Sequence, residues 1–454
     1  MSFCLRTSTK QAFYPDFEAL QQLPLPPQPL LAFQESTSPA LILHLLACWI
    51  QGKTILTLDP KLPASTVREL LLQESITHCT VDTSPDFLAR HANDSPPSPQ
   101  SQRLSETFWQ AQHHDMPMTL IRTSGSTGEP KLAQHSRGNH YWSAQGSRSN
   151  IPLTTQDRWL LSLPLYHVGG LAILMRCWLA GATVLIPATS DLSSALNTFQ
   201  PTHLSLVPTQ LRRLLRVPDH LTALTDCKAI LLGGAPVTHA LIDTVRDIPV
   251  HTSYGSTEMS SQITTTPPGY FKTKASGDLE ETHRPTASGQ LLPHRELRLH
   301  EGEIQVRGKT LFQGYRHRGI VECPLDKGWF STRDQGEWRD GQLYITGRRD
   351  NQFISGGENI QPEEIERHLL QLPGVSEAIV VPVPDPEFGM RPVAFVGFES
   401  LEASTFTARC LKLQLQLEKQ LPRFKIPRTY HPWPTQNSLK PGRKKLQATA
   451  LMLR

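Results

Sequence analysis

The chain has 454 residues, 38% of them hydrophobic and 19% charged, the ordinary balance of a soluble globular protein too long for one core, so two or more domains are expected. A net charge of +4 makes no case for a nucleic-acid partner. Seven scattered cysteines without a Cys-x-x-Cys pair indicate neither a disulfide framework nor a zinc site, and suit reduced core thiols.

Met1 to Lys10 lacks the apolar core of a signal peptide, and the longest apolar run, Ala40 to Ile50, is broken by His44 and too short to span a bilayer. The cytoplasm is therefore the expected address, with no membrane partner. From Ser38 the pattern predicts a buried helix to about Ile50, a strand Thr54 to Leu58, a helix Ala64 to Gln73 and a strand Ile76 to Val81. Ala92 to Gln102, rich in Ser and Pro, carries no apolar period and reads as a mobile surface linker. Alternation resumes with a strand Thr119 to Arg122, a helix Gly138 to Ser147, a strand Trp159 to Leu163 and an apolar helix Gly170 to Ala180 closed by Gly181. Short strands of parallel type follow at Ala182 to Ile186, His203 to Val207, Ala229 to Leu232 and Val250 to Ser253. The fold class is α/β, with a large doubly wound amino-terminal domain.

After Pro267 the texture changes to antiparallel strands such as Glu303 to Arg307 and Gln342 to Thr346, a small β subdomain. A helix beginning at Gln361-Pro362 carries acids in its first turn and ends at Pro373-Gly374. Strands Ala378 to Val383 and Val393 to Phe398 and a helix Ser404 to Leu421 complete a compact carboxy-terminal α+β unit. The expected division is residues 1–347 and 348–454.

Directly after the apolar run Met118 to Ile121 stand Thr123, Ser124, Ser126 and Thr127, alternating with Gly125 and Gly128 and closed by Lys131. Glycines let backbone N–H groups face an anion, hydroxyls add donors and lysine adds charge, so the composition is that of a phosphate cradle, though also of a plain loop. Glu129 and Pro130 separate the last glycine from the lysine, which is not Walker A spacing and speaks against a P-loop kinase or ATPase. Further motifs stand at strand ends, where open α/β sheets bind ligands. They are Leu163-Pro-Leu-Tyr-His167-Val-Gly-Gly, Leu232-Gly-Gly-Ala-Pro236, Ser253-Tyr-Gly-Ser-Thr-Glu258, Ser331-Thr-Arg-Asp-Gln-Gly336, and Thr346-Gly-Arg-Arg-Asp350 running into Ser355-Gly-Gly-Glu-Asn-Ile360.

In this order the set resembles the adenylate-forming superfamily of acyl-CoA synthetases, luciferases and adenylation domains, over essentially the whole chain. Within it, Trp159 to Val168, Ser205-Leu-Val-Pro-Thr-Gln-Leu211, Ser355 to Glu364 and Phe388-Gly-Met-Arg-Pro392 look most like the o-succinylbenzoate:CoA ligases of menaquinone synthesis. The resemblance implies an ATP-dependent acid:CoA ligase using Mg²⁺ and coenzyme A: a carboxylate attacks the α-phosphate of ATP, pyrophosphate leaves, and the CoA thiol displaces AMP.

The same resemblance implies roles residue by residue. Thr123 to Lys131 would hold the β- and γ-phosphates. Tyr254 would lie on the adenine face, with Gly233, Gly234, Ala235 and Gly255 allowing close backbone approach. Thr257 would touch the α-phosphate, Glu258 would hold Mg²⁺, and Asp334 and Arg348 would bind the ribose. His167 would orient the acid, or is a loop histidine. Arg176, a charge in an apolar helix, would face the substrate's second carboxylate with Ser205, or forms an internal ion pair. Near the carboxyl end Gly442 is followed by Arg443 rather than by lysine, and register places the adenylating lysine at Lys444, with Lys440 and Lys445 open. Asp350 matches the hinge about which the small domain turns. Rival readings are a fatty or aromatic acid:CoA ligase, a carrier-loading enzyme (no carrier domain follows Arg454), and a non-catalytic adenylate-binding protein.

Overall fold

The β-α alternation divides between two large sheets that share one core. The computed structural model describes residues 3–8, 12–123, 131–189, 191–273, 285–398, 405–434 and 442–453. In the first sheet Cys4–Thr7, Thr183–Ile186, Arg158–Leu160, His203–Leu206, Ala229–Leu232 and Val250–Ser256 run parallel in that spatial order. In the second, Thr77–His78, Leu30–Phe33, Thr54–Thr57 and Pro117–Thr123 are parallel, and Lys131–Ser136 then pairs antiparallel with the last. The strand expected at Ile76 to Val81 is thus only two residues long.

Helices Pro39–Ile50 and Val168–Ala180 are apolar on every side and buried along almost their whole length, as such a pattern requires. The Ser38 hydroxyl caps the first, accepting from the Leu41 amide at 3.1 Å, and Gly181, at φ +68°, ends the second in the left-handed conformation that spares a side chain the clash. Trp178 is the hub of the core. Phe17, Trp49 and Phe108 stack on it with centroids 5.7, 6.2 and 4.7 Å away, and its indole N–H donates to the Ser105 hydroxyl at 2.8 Å.

Those last contacts correct the reading of Ala92 to Gln102 as a linker. Ala92–Asn93 is a strand, and Pro99–Phe108 is a helix capped by Ser98 with Pro99 in its first turn. Its serines are working groups: the Ser101 hydroxyl accepts from the Phe17 amide at 2.9 Å, and Ser105 holds Trp178. Composition places Ser101 in a surface linker because its partner Phe17 lies 84 residues away in the chain.

Beyond Val250–Ser256 the first sheet continues in antiparallel strands, Ser261–Thr265, Ala287–Leu291, Gln342–Arg348, Trp329–Arg339, Glu303–Gly308 and Arg295–His300. The β subdomain is therefore an extension of the parallel sheet. The carboxy-terminal unit is a sheet of Val375–Asp385, Gly389–Phe398 and Thr429–Pro432, covered on both faces. Strand alternation sends Val380, Ala394 and Val396 toward helices Pro362–Gln371 and Phe406–Leu417, and Ile379, Val381 and Phe395 toward helix Arg443–Met452. The Arg212 guanidinium donates to the Ser376 carbonyl at 2.7 Å, joining this unit to the large one.

Phe108→Ala removes the stack on Trp178 and the ring that covers the Arg137 guanidinium at 3.8 Å. Urea unfolding is expected to show a loss of about 3–5 kcal/mol.

Candidate active site

The carboxyl ends of the parallel strands meet the antiparallel extension, and Tyr254, Asp334, Arg348 and Asp350 of the expected site residues form a chain of contacts there. Val250–Ser256 delivers Tyr254 to the junction, and the register slips between Tyr254 and Gly255. A side chain at 255 would collide with the Ser261 carbonyl at 2.0 Å, so only glycine allows this hairpin to close. The Tyr254 hydroxyl donates to Asp334 Oδ2 at 2.7 Å, and Arg348 Nη1 lies 3.0 Å from Oδ1 of the same carboxylate. Burial pushes the Asp334 carboxyl up, against the opposing pull of Arg348 and the Tyr254 hydrogen bond. Arg348 also approaches Asp350 at 3.7 Å, and Arg333 reaches Asp350 at 3.2 Å.

A second chain of contacts starts at the hairpin of Pro117–Thr123 and Lys131–Ser136, whose register pairs Thr123 with Lys131. Ser124, Gly125, Ser126, Thr127 and Gly128, the body of the expected phosphate cradle, lie outside the described residues. The Lys131 ammonium stands 4.8 Å from the centroid of the Tyr315 ring, and the Tyr315 hydroxyl donates to Glu258 Oε1 at 2.7 Å. Burial, and then Glu258, push the Tyr315 phenol far above its ordinary range, so it stays a donor. Thr257 is held through its carbonyl by the buried His135 ring at 2.7 Å, and desolvation takes that histidine down to about 4. Gly233 and Gly234 follow the strand Ala229–Leu232 together with Ala235, and Gly234 takes φ +76°.

The third group surrounds Arg176, which is 2% exposed. Its Nη2 donates to Gln262 Oε1 at 2.7 Å and approaches the Ser261 hydroxyl at 3.4 Å, its guanidinium lies 5.3 Å over the Trp159 ring, and its Nε has no partner among the described residues. No carboxylate among the described residues forms an ion pair with it. Desolvation lowers Arg176 to about 10, still a cation at neutral pH. Arg295, equally sealed and lowered by burial to about 9, donates to the Gln262 carbonyl at 2.6 Å. This interior therefore holds two positive charges joined through one neutral glutamine. Ser205 is buried beside it, its hydroxyl accepting from the Trp159 indole at 3.1 Å. A narrow gap next to Arg176 is lined by His140, Ser143, Met175 and Ser260.

Two expected residues stand apart. His167 precedes helix Val168–Ala180 without a side-chain cap bond and packs on Tyr166 at 4.7 Å. Lys444 is exposed in the first turn of helix Arg443–Met452 and, among the described residues, forms no hydrogen bond or ion pair with the Tyr254 or Lys131 groups, which lie in the large sheets. Lys440 lies outside the described residues. Tyr315, Gln262 and Arg295 were not singled out from sequence. Each sits in an alternating strand or loop where such residues normally face solvent, and no local signal separates them.

The matches to known proteins agree with this layout. The model of the AMP-binding enzyme family covers residues 18–316, and that of the AMP-binding enzyme C-terminal domain covers residues 364–437. The chain belongs to the AMP-binding enzyme family. Among its relatives in that family, a 2-succinylbenzoate–CoA ligase of Haemophilus influenzae is 35% identical over 422 residues, 92% of this chain and 86% of the relative. The Escherichia coli protein of that name is 38% identical over 380 residues, 82% and 75% of the two chains. Among solved structures, an E. coli MenE variant with bound OSB-AMS has a TM-score of 0.77 at 30% identity, covering 96% of this chain and 91% of that one. Bacillus subtilis MenE in complex with ATP and magnesium ion has a TM-score of 0.75 at 28% identity, covering 98% and 96%. The adenylate-forming fold is thereby established.

The buried Asp334 gives a pH signature. Its folded pKa lies above the unfolded value, so its contribution to stability is complete below the ordinary aspartate range and is lost as pH rises through the folded pKa. The stability of Asp334→Asn relative to the parent is therefore expected to rise between pH 3 and pH 7, whatever the loss of the Arg348 pair costs at every pH. Urea midpoints measured across that range test it; a pH-independent difference would contradict the assignment.

Proposed function

We propose that the chain is an ATP-dependent 2-succinylbenzoate–CoA ligase, making 2-succinylbenzoyl-CoA for menaquinone (vitamin K2) biosynthesis in the cytoplasm. Relatives of that name matching most of the chain support the reaction. Among the described residues no helix is long and apolar enough to cross a membrane. The observation that carries the choice of acid is Arg176, a buried cation without a carboxylate partner among the described residues. A plain fatty acid would leave that charge uncompensated, whereas the second carboxylate of a dicarboxylic acid neutralises it.

In this reading the acid's aryl end lies toward Trp159 and Ser205, with His167 at the mouth, and the reacting carboxylate faces the strand ends. Its oxygen attacks the α-phosphorus of ATP, and the bond to the bridging oxygen of pyrophosphate breaks. Thr123 to Lys131 hold the leaving pyrophosphate, Tyr254 covers the adenine beside Gly233, Gly234, Ala235 and Gly255, Asp334 and Arg348 bind the ribose, and Thr257 lies at the α-phosphate. Tyr315 occupies one oxygen of Glu258 and leaves the other to a hard cation. A single carboxylate suits Mg²⁺, which takes its remaining ligands from phosphate and water and there neutralises the charge on the phosphate oxygens. CoA sulfur then attacks the acyl carbonyl carbon, and AMP leaves with the bonding electrons. Lys444 supplies positive charge to the first step, which requires residues 348–454 to turn about Asp350 as a small mobile domain. Breaking the contacts of Asp350 with Arg333 and Arg348 accompanies that turn.

A pyrophosphate-release screen over carboxylic acids, with and without CoA, tests the reaction, and its best acid is expected to be 2-succinylbenzoate. Arg176→Leu is expected to lower kcat/KM on that acid by roughly a hundredfold, the scale of leaving a buried charged partner unpaired, while sparing benzoate-like monocarboxylates. Full activity on 2-succinylbenzoate would remove the substrate assignment. Lys444→Ala is expected to lower the adenylation rate by about 10²–10³ with little change in the KM for ATP, read by pyrophosphate exchange.

A further inference from the structure

We propose that Arg443 and Glu363 form a strut tying the first turn of the terminal helix to the hinge turn, which makes Arg443 a positioning residue for Lys444. The inference rests on the reading of Lys444 as the adenylating lysine and accounts for the arginine found where the family pattern places that lysine. Arg443 Nη1 donates to Glu366 Oε1 at 2.6 Å and to the Val380 carbonyl, and Nη2 donates to Glu363 Oε1 at 3.2 Å. The same Glu363 oxygen accepts from Asn351 Nδ2 at 2.5 Å, and the other accepts from Gln361 Nε2. Gln361 donates in turn to the Arg348 carbonyl at 3.0 Å. Asn351 closes the turn Arg349–Asn351 that contains Asp350. An unbroken line of side chains thus connects the hinge with the helix that carries Lys444.

The helix needs that anchor. Its N-cap is Gly442, which offers no side chain to the free amides of the first turn, and the first turn holds no acid. The planar guanidinium meets two carboxylates and a carbonyl at once, which a lysine ammonium on a flexible stem does not reproduce. Burial works against the charge of Arg443, but Glu366 and Glu363 outweigh it and leave the guanidinium firmly protonated. Residue 444 follows about 100° around the helix, so fixing the side chain of 443 inward fixes the direction in which Lys444 leaves the helix. When the small domain turns, hinge and lysine then move as one body, and the ammonium arrives in a set position. A misplacement of about 1 Å is enough to cost on the order of a hundredfold in rate.

The test separates the two half-reactions in the full chain. Adenylation is followed by pyrophosphate exchange, and thioester formation by adding CoA to supplied acyl adenylate. Arg443→Leu is expected to lower the adenylation kcat by about tenfold or more, with the KM values for acid and ATP and the thioester step nearly unchanged. Arg443→Lys should recover part of the loss. Glu363→Gln should act in the same direction, and the double variant with Arg443→Leu should be little worse than Arg443→Leu alone, because the two side chains act as one unit. Equal slowing of both half-reactions would show a purely structural role and overturn the proposal. So would normal adenylation by Arg443→Leu when Lys444→Ala has lost it. If Arg443→Leu does not fold, Glu363→Gln decides, and its normal adenylation overturns the strut. Normal adenylation by Lys444→Ala brings down the lysine reading itself, and the strut's purpose with it.

Discussion

Burial of helix Val168–Ala180 on every side is the constraint on which both the fold and the placement of Arg176 depend. A helix apolar all round is stable only when other elements enclose it, and here the strands of the first sheet, helix Pro39–Ile50 and the aromatic cluster around Trp178 supply that enclosure. The same enclosure makes Arg176 unusual. Two residues from Trp178, it is carried into the core by the helix, where its charge is costly and its hydrogen bonds go to neutral groups. Packing energy spread over many apolar side chains thereby holds one charged group ready in a place it would not occupy by itself.

Around that core the expected site residues divide between the two large sheets and the carboxy-terminal unit. Short hydrogen bonds lock Tyr254 to Asp334 within the first sheet, and Tyr315, on a strand of the second sheet, to Glu258 in the turn after Val250–Ser256. Preorganised donors and carboxylates of this kind lose little on reorganisation when charge develops beside them. Lys444 belongs to the carboxy-terminal unit. Its helix covers the far face of the three-stranded sheet and contributes Leu446 and Ala450 to that core. The ion pairs of Asp350 are partly exposed, and such pairs contribute only modestly to stability.

The order of strands and helices was legible over most of the chain because hydrophobic period is local. Helices Pro39–Ile50 and Val168–Ala180 and the short strands between residues 183 and 256 lie within a few residues of where periodicity places them. The segment 92–102 was misread for a physical reason: Ser101 earns its place by bonding the amide of Phe17, 84 residues earlier, and composition carries no trace of such a partner. Tyr315, Gln262 and Arg295 escaped notice in the same way, since a polar residue in an alternating strand looks alike whether it meets water or another buried group.

Sequence by itself determined the chemistry-bearing residues and their order along the chain: the Ser/Thr/Gly run ending at Lys131, Tyr254 to Glu258, Asp334, Arg348 and the lysines near the end, together with the resemblance they carry. Only tertiary structure decided which of them touch. It brought Tyr254 to Asp334, Lys131 to Tyr315 and Tyr315 to Glu258, and among the described residues it left Arg176 without an acid. The reason is the range of the forces involved. Periodicity and turn chemistry act over a few residues, whereas pairing a buried charge, or leaving it unpaired, depends on groups that only long-range packing brings within a few ångströms.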